Sequence, residues 1–340
     1  MRKLPVIAIL LSTALVTALG VAQQPGTVTL LCSPDQAWCE AIPSAFERAT
    51  GLRLEFVRLS SGEALARLRA ERARPTFDVW FGGTGDPHLV AAAERLTEFH
   101  RSPRYDEIHE NLRQAVADVY IPLYAGILGW AVNEGLLRQR GLPLPRTWQD
   151  LGNPAYRGLV ATPNPNTSGT AYTMLATLVQ IYGEPEAFAL LARIHQNVAQ
   201  YTRSGAAPGL LAGRGEVAVG VTFLHDAVTQ AVRGFPITPT APADGTGYEI
   251  GGISLVRGGP NPEGARRFID WALSPEAQRI AAETNSFQIQ SNRATPVPPA
   301  SPRFEDINVI PYDFERWGTP AVRDRLVQRW TREIFPIRRR

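Results

Sequence analysis

With 340 residues, 44% of them hydrophobic and 20% charged, and a formal net charge of +3, the chain has an ordinary globular composition and is long enough for two cores. Its basic residues are arginine apart from Lys3 and are scattered except at Arg338, Arg339 and Arg340, so the clustered basic and aromatic motifs of a nucleic-acid binder are missing. Beyond residue 22 no run of apolar residues approaches the roughly 18 needed to span a bilayer.

Arg2 and Lys3 precede an uncharged apolar run over residues 4–21, and Gly20 and Ala22 occupy cleavage-type positions before a polar stretch. That pattern predicts a secretory signal peptide over residues 1–22, cleaved near Ala22, with a retained single-span anchor as the alternative. Lipidation is not expected, because the first cysteine, Cys32, stands too far beyond the apolar run. Cys32 and Cys39 are the only cysteines, and in an oxidising compartment the pair reads as one local disulfide. Their spacing fits neither a C-x-x-C redox pair nor a zinc site.

A β-rich segment over residues 27–32 is followed by helical spacing over residues 41–50, stopped by Gly51. Alternating apolar residues over 52–59 predict a second strand, Ser60-Ser61-Gly62-Glu63 opens a helix, and residues 77–81 form a third strand leading into Gly82-Gly83-Thr84-Gly85-Asp86 and another helix. This rhythm predicts a parallel sheet whose ligands bind beyond the carboxyl ends of the strands. Residues 120–132 read as one long strand, interrupted by Pro122 and two glycines, able to pass from one lobe to another. A strand over 159–162, helices over 171–182 and 184–197, a strand over 216–221 and a second return strand from Glu249 follow. Residues 265–284 read as one amphipathic helix, 295–302 as a proline-rich loop and 322–333 as a last helix. The expected organisation is α/β with two lobes: residues 25–122 and 249–300 in the first, 123–248 in the second, and a C-terminal helical segment over 301–340.

Three strand-to-helix junctions carry hydroxyls and glycines: Ser60, Ser61 and Gly62; Thr84 with its flanking glycines; and Ser168, Gly169 and Thr170. Free N–H groups and the macrodipole at a helix start favour an anion, which makes these a candidate phosphate cradle. Each junction alone reads more readily as a cap or a turn, and it is the three on the same side of two sheets that point to a ligand. None matches a nucleotide-binding glycine motif, and no cofactor or metal is expected. His225-Asp226 follows one strand and Glu249 opens another. Their carboxylates would repel phosphate, so they are candidates for hydroxyls or an amine at the other end of a ligand. Trp38, Trp80, Phe81, Phe223 and Tyr248 are candidates for a sugar-facing wall and equally for the core.

The segments Asp78-Val-Trp-Phe-Gly-Gly-Thr-Gly-Asp86, Ser168-Gly-Thr-Ala-Tyr172, Tyr201-Thr-Arg-Ser-Gly205, His225-Asp226-Ala227 and Gly245-Thr-Gly-Tyr-Glu-Ile250 together resemble the type 2 periplasmic binding proteins once grouped as ferric-iron binders. Within that family they resemble the branch that binds hexose phosphates. The resemblance implies that His225, Asp226 and Glu249 hold the sugar while Ser60 or Ser61, Thr84 and residues 168–170 take the phosphate. It also implies a monomer that closes by a hinge, is not an enzyme, and delivers its ligand to an ABC transporter permease in the inner membrane. Iron-binding relatives carry adjacent tyrosines where this chain has Thr222-Phe223-Leu224-His225-Asp226, which argues against iron. An aminophosphonate is the alternative ligand, since two carboxylates and an aromatic wall also suit an ammonium group. A phosphatase-like hydrolase is the alternative of another class, although no metalloprotease, G-x-S-x-G or paired-metal pattern is present.

Overall fold

The computed structural model describes residues 26–339; the signal peptide read in residues 1–22 lies outside the described residues. Eleven strands occur among the described residues: β1 (Val28–Cys32), β2 (Leu54–Arg58), β3 (Val79–Phe81), β4 (Thr97–Glu98), β5 (Ile121–Val132), β6 (Val160–Pro163), β7 (Val198–Thr202), β8 (Val219–Phe223), β9 (Thr238–Thr240), β10 (Tyr248–Val256) and β11 (Ile289–Gln290). They join in the order β2-β1-β3-β10-β5-β8-β6-β7, with β4 on β10 and both β9 and β11 on β5.

Two parallel clusters make up this sheet. In one, β1 lies between β2 and β3; in the other, β6 lies between β7 and β8. Helices Gln36–Thr50 and Ser61–Ala70 return the chain between the first three strands, and Gly169–Tyr182 and Glu184–Asn197 do so between β6 and β7, as parallel pairing requires. The clusters are joined by two antiparallel strands. β5 pairs with β10 as far as Ile127 and with β8 from Leu128 onward, and β10 continues to β3.

All twelve residues of β5 are buried and the strand is continuous, where the sequence predicted interruption at Pro122. Proline has no N–H for a ladder bond. Its partner strand absorbs the defect through a register shift between Gly251 and Gly252, with Gly252 opposite Pro122.

The helix expected over residues 265–284 is two helices, Pro262–Ala272 and Pro275–Glu283. Pro275 cannot donate to the preceding turn, and the Ser274 hydroxyl accepts from the Ala277 N–H to start a new helix. Cys32 and Cys39 form the expected disulfide, S–S 2.07 Å, between the end of β1 and the first long helix. Around it Trp38, Phe46, Phe81 and Phe268 pack edge to face at centroid distances of 5.2–5.7 Å. Beside the second cluster Trp130 meets Trp148 at 5.3 Å.

The C-terminal helix Pro320–Glu333 touches both clusters' helices. Asp324 pairs with Arg69 at 3.1 Å on one side, and Arg325 and Arg329 pair with Glu184 at 2.6 and 2.8 Å on the other. Trp330, 2% exposed, packs edge-on against Tyr201 at 5.2 Å and beside Phe335 at 5.3 Å. Trp330→Ala should lower the unfolding free energy by about 3–5 kcal/mol, the cost of emptying a buried aromatic site, read from urea denaturation followed by circular dichroism.

Candidate functional site

The junctions after β2, β3 and β6 converge. Ser60, Ser61, Thr84, Ser168, Gly169 and Thr170 line a single cleft, together with Gly205 and Ala206. Helices Ser61–Ala70, Gly85–Ala93 and Gly169–Tyr182 all begin there, after Ser60, Thr84 and Ser168 in extended conformation. Contact between the junctions is direct: the Thr84 N–H donates to Ser61 Oγ at 3.0 Å, and a Cβ on Gly169 would overlap the Thr84 side chain. The Ser60 hydroxyl donates to the Thr167 carbonyl at 2.8 Å, and the Gly62 N–H joins the same oxygen at 2.9 Å, tying the two junctions together. Thr84 Oγ1 and Ser168 Oγ are buried without a hydrogen-bond partner. A wall of helix starts and spare hydroxyls attracts an anion and donates to it.

The facing wall is acidic. His225 and Asp226 occupy the first turn of the helix Leu224–Val232 directly after β8, and Glu249 stands on β10 opposite Gly126 of β5. A Cβ at Gly126 would come 2.6 Å from the His225 ring, so any larger residue there would have to displace the imidazole. The ring stacks on Phe223 at 5.4 Å, and its Nε2 lies 3.7 Å from Asp226 Oδ1 and 4.0 Å from Glu249 Oε1. Thr222 Oγ1 donates to Asp226 Oδ2 at 2.8 Å. Burial pushes Asp226 up to about 6 against the pull of that bond, and pushes Glu249 well above the usual carboxylate range, with Asp226 adding to the effect. His225 is lowered to about 4, also by burial, so the imidazole is neutral at pH 7. His225 Nδ1 and Gln288 Oε1, whose residues also line the cleft, are buried and unpartnered, as Thr84 Oγ1 and Ser168 Oγ are.

The cleft therefore brings together all nine residues singled out from the sequence: His225, Asp226, Glu249, Ser60, Ser61, Thr84, Ser168, Gly169 and Thr170. The Ser60 hydroxyl is committed to Thr167, whereas Thr84 Oγ1 and Ser168 Oγ have no partner. Of the aromatic candidates only Phe223 lines the cleft. Trp38, Trp80 and Phe81 are core residues, at most 2% exposed, and Tyr248 packs against Phe304, Tyr312 and Phe314. Sequence reasoning passed over Asp35, Arg58, Tyr124 and Gln288, which also line the cleft. Asp35 had the same signal as the others, a polar residue at a strand-to-helix junction. Tyr124 and Gln288 sit within a strand and beside a two-residue one, where no local pattern distinguishes a cleft residue from a core one. Among the described residues no group of three or more His, Cys, Asp or Glu side chains is placed to hold a metal ion.

Comparison with known proteins places this cleft in a family context. Residues 90–316 match the family model described as bacterial extracellular solute-binding protein. A Haemophilus influenzae protein described only as uncharacterized is 39% identical over 337 residues, spanning 96% of this chain and 97% of its own. The putative 2-aminoethylphosphonate-binding periplasmic protein of Salmonella typhi is 28% identical over 83% of each chain. Among solved structures, the periplasmic binding protein AfuA from Actinobacillus pleuropneumoniae, with exogenous fructose-6-phosphate bound, superposes with a TM-score of 0.86 at 36% identity, covering 91% of this chain and 98% of its own. The two-lobe type 2 fold, the strand-to-helix cleft and these matches agree: the chain belongs to the bacterial extracellular solute-binding protein family.

Proposed function

We propose that this protein captures a hexose phosphate for an ABC importer, gripping the phosphate at the helix starts and the sugar hydroxyls at the acidic wall. The observation that carries this reading is the distribution of unpartnered buried atoms in one cleft: Thr84 Oγ1 and Ser168 Oγ at the anion end, His225 Nδ1 and Gln288 Oε1 at the other. Buried polar atoms left unpaired cost free energy, and a ligand supplies the missing partners. An ammonium group offers three donors and no acceptor. Sugar hydroxyls donate to Asp226, Glu249 and Gln288 and also accept, which matches a wall of mixed carboxylate, amide and imidazole groups. The fructose-6-phosphate bound to AfuA supports the same ligand class.

Binding closes the cleft. Residues from both strand clusters contribute to it, β5 and β10 are the only strands that link the clusters among those described, and a ligand that bridges the walls favours the closed form that a permease recognises. The lobes divide along that line, on β5 between Ile127 and Leu128, where its partner changes from β10 to β8, five residues beyond the boundary expected from the sequence, and near residue 248. The protein acts as a monomer on the outer side of the inner membrane and releases its ligand unchanged.

A thermal-shift panel tests the ligand. Glucose 6-phosphate should raise the melting temperature well beyond inorganic phosphate or glucose; a shift confined to 2-aminoethylphosphonate or to ferric citrate would replace the ligand, and release of free phosphate from the sugar phosphate would replace binding with hydrolysis. Asp226→Ala should weaken sugar-phosphate binding by about 1–3 kcal/mol, since hydroxyls buried in the complex lose their acceptor, as read by calorimetric titration.

The acidic wall also sets a pH dependence in the ligand-free protein. Asp226 keeps its proton up to about pH 6 when folded, against an ordinary value of 3.8, so the folded state binds more protons in that window and loses stability as pH rises through it. Asp226→Asn removes this loss. Its unfolding free energy should improve relative to wild type by about 3 kcal/mol from acid to neutral pH, measured by urea denaturation; a pH-independent difference would show that Asp226 ionises normally in the folded protein.

A further inference from the structure

Asp35 ends the turn between β1 and the helix Gln36–Thr50, at the N-cap position. An N-cap aspartate ordinarily uses its carboxylate on the first turn of its own helix, but this one makes no side-chain capping bond. It lines the cleft instead, where the Ser286 hydroxyl donates to Oδ2 at 3.1 Å. It also interacts electrostatically with Asp226 and His225, which come from the other strand cluster. A third acidic side chain thus confronts the Asp226 and Glu249 pair from the first strand cluster.

The turn that presents it is fixed from several directions. The Cys32–Cys39 disulfide closes a short ring around residues 33–38. Arg58 Nε donates to the Pro34 carbonyl at 3.1 Å and Nη2 to the Ser33 carbonyl at 3.5 Å. The Ser33 N–H donates to the Phe81 carbonyl at 2.9 Å, and Trp80 Nε1 donates to Ser33 Oγ at 2.9 Å. Three irregular residues held by a covalent bond and four hydrogen bonds form a rigid mount, and a rigid mount spares a site the entropy of ordering a side chain on binding. Arg58 serves two purposes, since its charge also eases the crowding of Asp35 and Asp226.

We propose that Asp35 is a specificity-determining residue that accepts hydrogen bonds from ligand hydroxyls on the side of the cleft opposite Asp226, and that the Cys32–Cys39 disulfide is the device that positions it. The inference rests on the hexose-phosphate reading and deepens it. With Asp35 on one side and Asp226 and Glu249 on the other, the sugar is held from both clusters, so a phosphorylated ligand lacking hydroxyls at that end leaves Asp35 unsatisfied and binds weakly.

Calorimetric titration with fructose 6-phosphate tests this, with the ligand-free melting temperature of each variant as a control for folding. Asp35→Asn should weaken binding about tenfold to a hundredfold with the melting temperature preserved, and Asp35→Glu, which keeps the carboxylate, should recover part of the loss. The double variant Cys32→Ser/Cys39→Ser should also weaken binding, and adding Asp35→Asn to it should cost much less than in the wild-type background, because the two changes act through one contact. Asp35→Asn and Asp35→Ala both within about twofold of wild type would overturn the role of Asp35 while leaving the hexose-phosphate reading intact. Fully additive losses would overturn the positioning role of the disulfide. Wild-type protein that fails to bind fructose 6-phosphate, yet responds to another phosphorylated compound, would overturn the ligand reading and this inference with it.

Discussion

A buried polar atom without a partner costs free energy, and the cleft is built around that constraint. Its hydroxyls and carboxylates lie at the ends of strands and the starts of helices, where backbone N–H groups are unpaired by the geometry of the helix itself. Three such starts meet at Ser61, Thr84 and Ser168 because β2, β3 and β6 run parallel within their clusters and deliver their helices to the same edge. Had any of these strands been antiparallel, its following turn would open on the far side of the sheet.

Bringing the two clusters into register falls to β5. Twelve buried residues running through both of them leave little freedom in where Glu249 stands relative to His225, since Glu249 pairs with Gly126 and the imidazole sits over that same glycine. The register shift opposite Pro122 confines the missing donor to one position, so the remainder of the β5–β10 ladder stays intact. The acidic wall is a product of this ladder as much as of the residues that make it up.

Charge is unevenly shared across the cleft. Asp35, Asp226 and Glu249 share one lining arginine, Arg58, whose guanidinium is already donating to the Ser33 and Pro34 carbonyls. Burial raises all three carboxyls, the Asp226 charge adds to the rise at Asp35 and Glu249, and burial keeps His225 neutral. A wall in that state carries less charge than its residue count implies and presents both donors and acceptors, which suits neutral hydroxyls. The anion end, by contrast, relies on helix starts and hydroxyls without a formal cation among Ser60, Ser61, Thr84, Ser168, Gly169 and Thr170.

The sequence by itself determined the alternation of strands and helices, the disulfide, and the residue types at each junction, because local periodicity, Gly and Pro punctuation and hydroxyl-rich helix starts are all short-range signals. It placed His225, Asp226 and Glu249 at strand ends, though what they face is a long-range matter. Short-range signals failed where two elements compete for the same pattern: residues 265–284 keep one amphipathic period across a break that Pro275 and the Ser274 cap impose. They failed again for aromatic side chains, since Trp80 and Phe223 are equally apolar and only packing sends one under a buried histidine and the other into the cleft. Tertiary structure alone decided that Asp35 forgoes its own helix to face Asp226, that Ser60 spends its hydroxyl on Thr167, and that the C-terminal helix spans both clusters. Each of these contacts joins residues far apart in the chain, and no local pattern encodes which distant partner a polar group will meet.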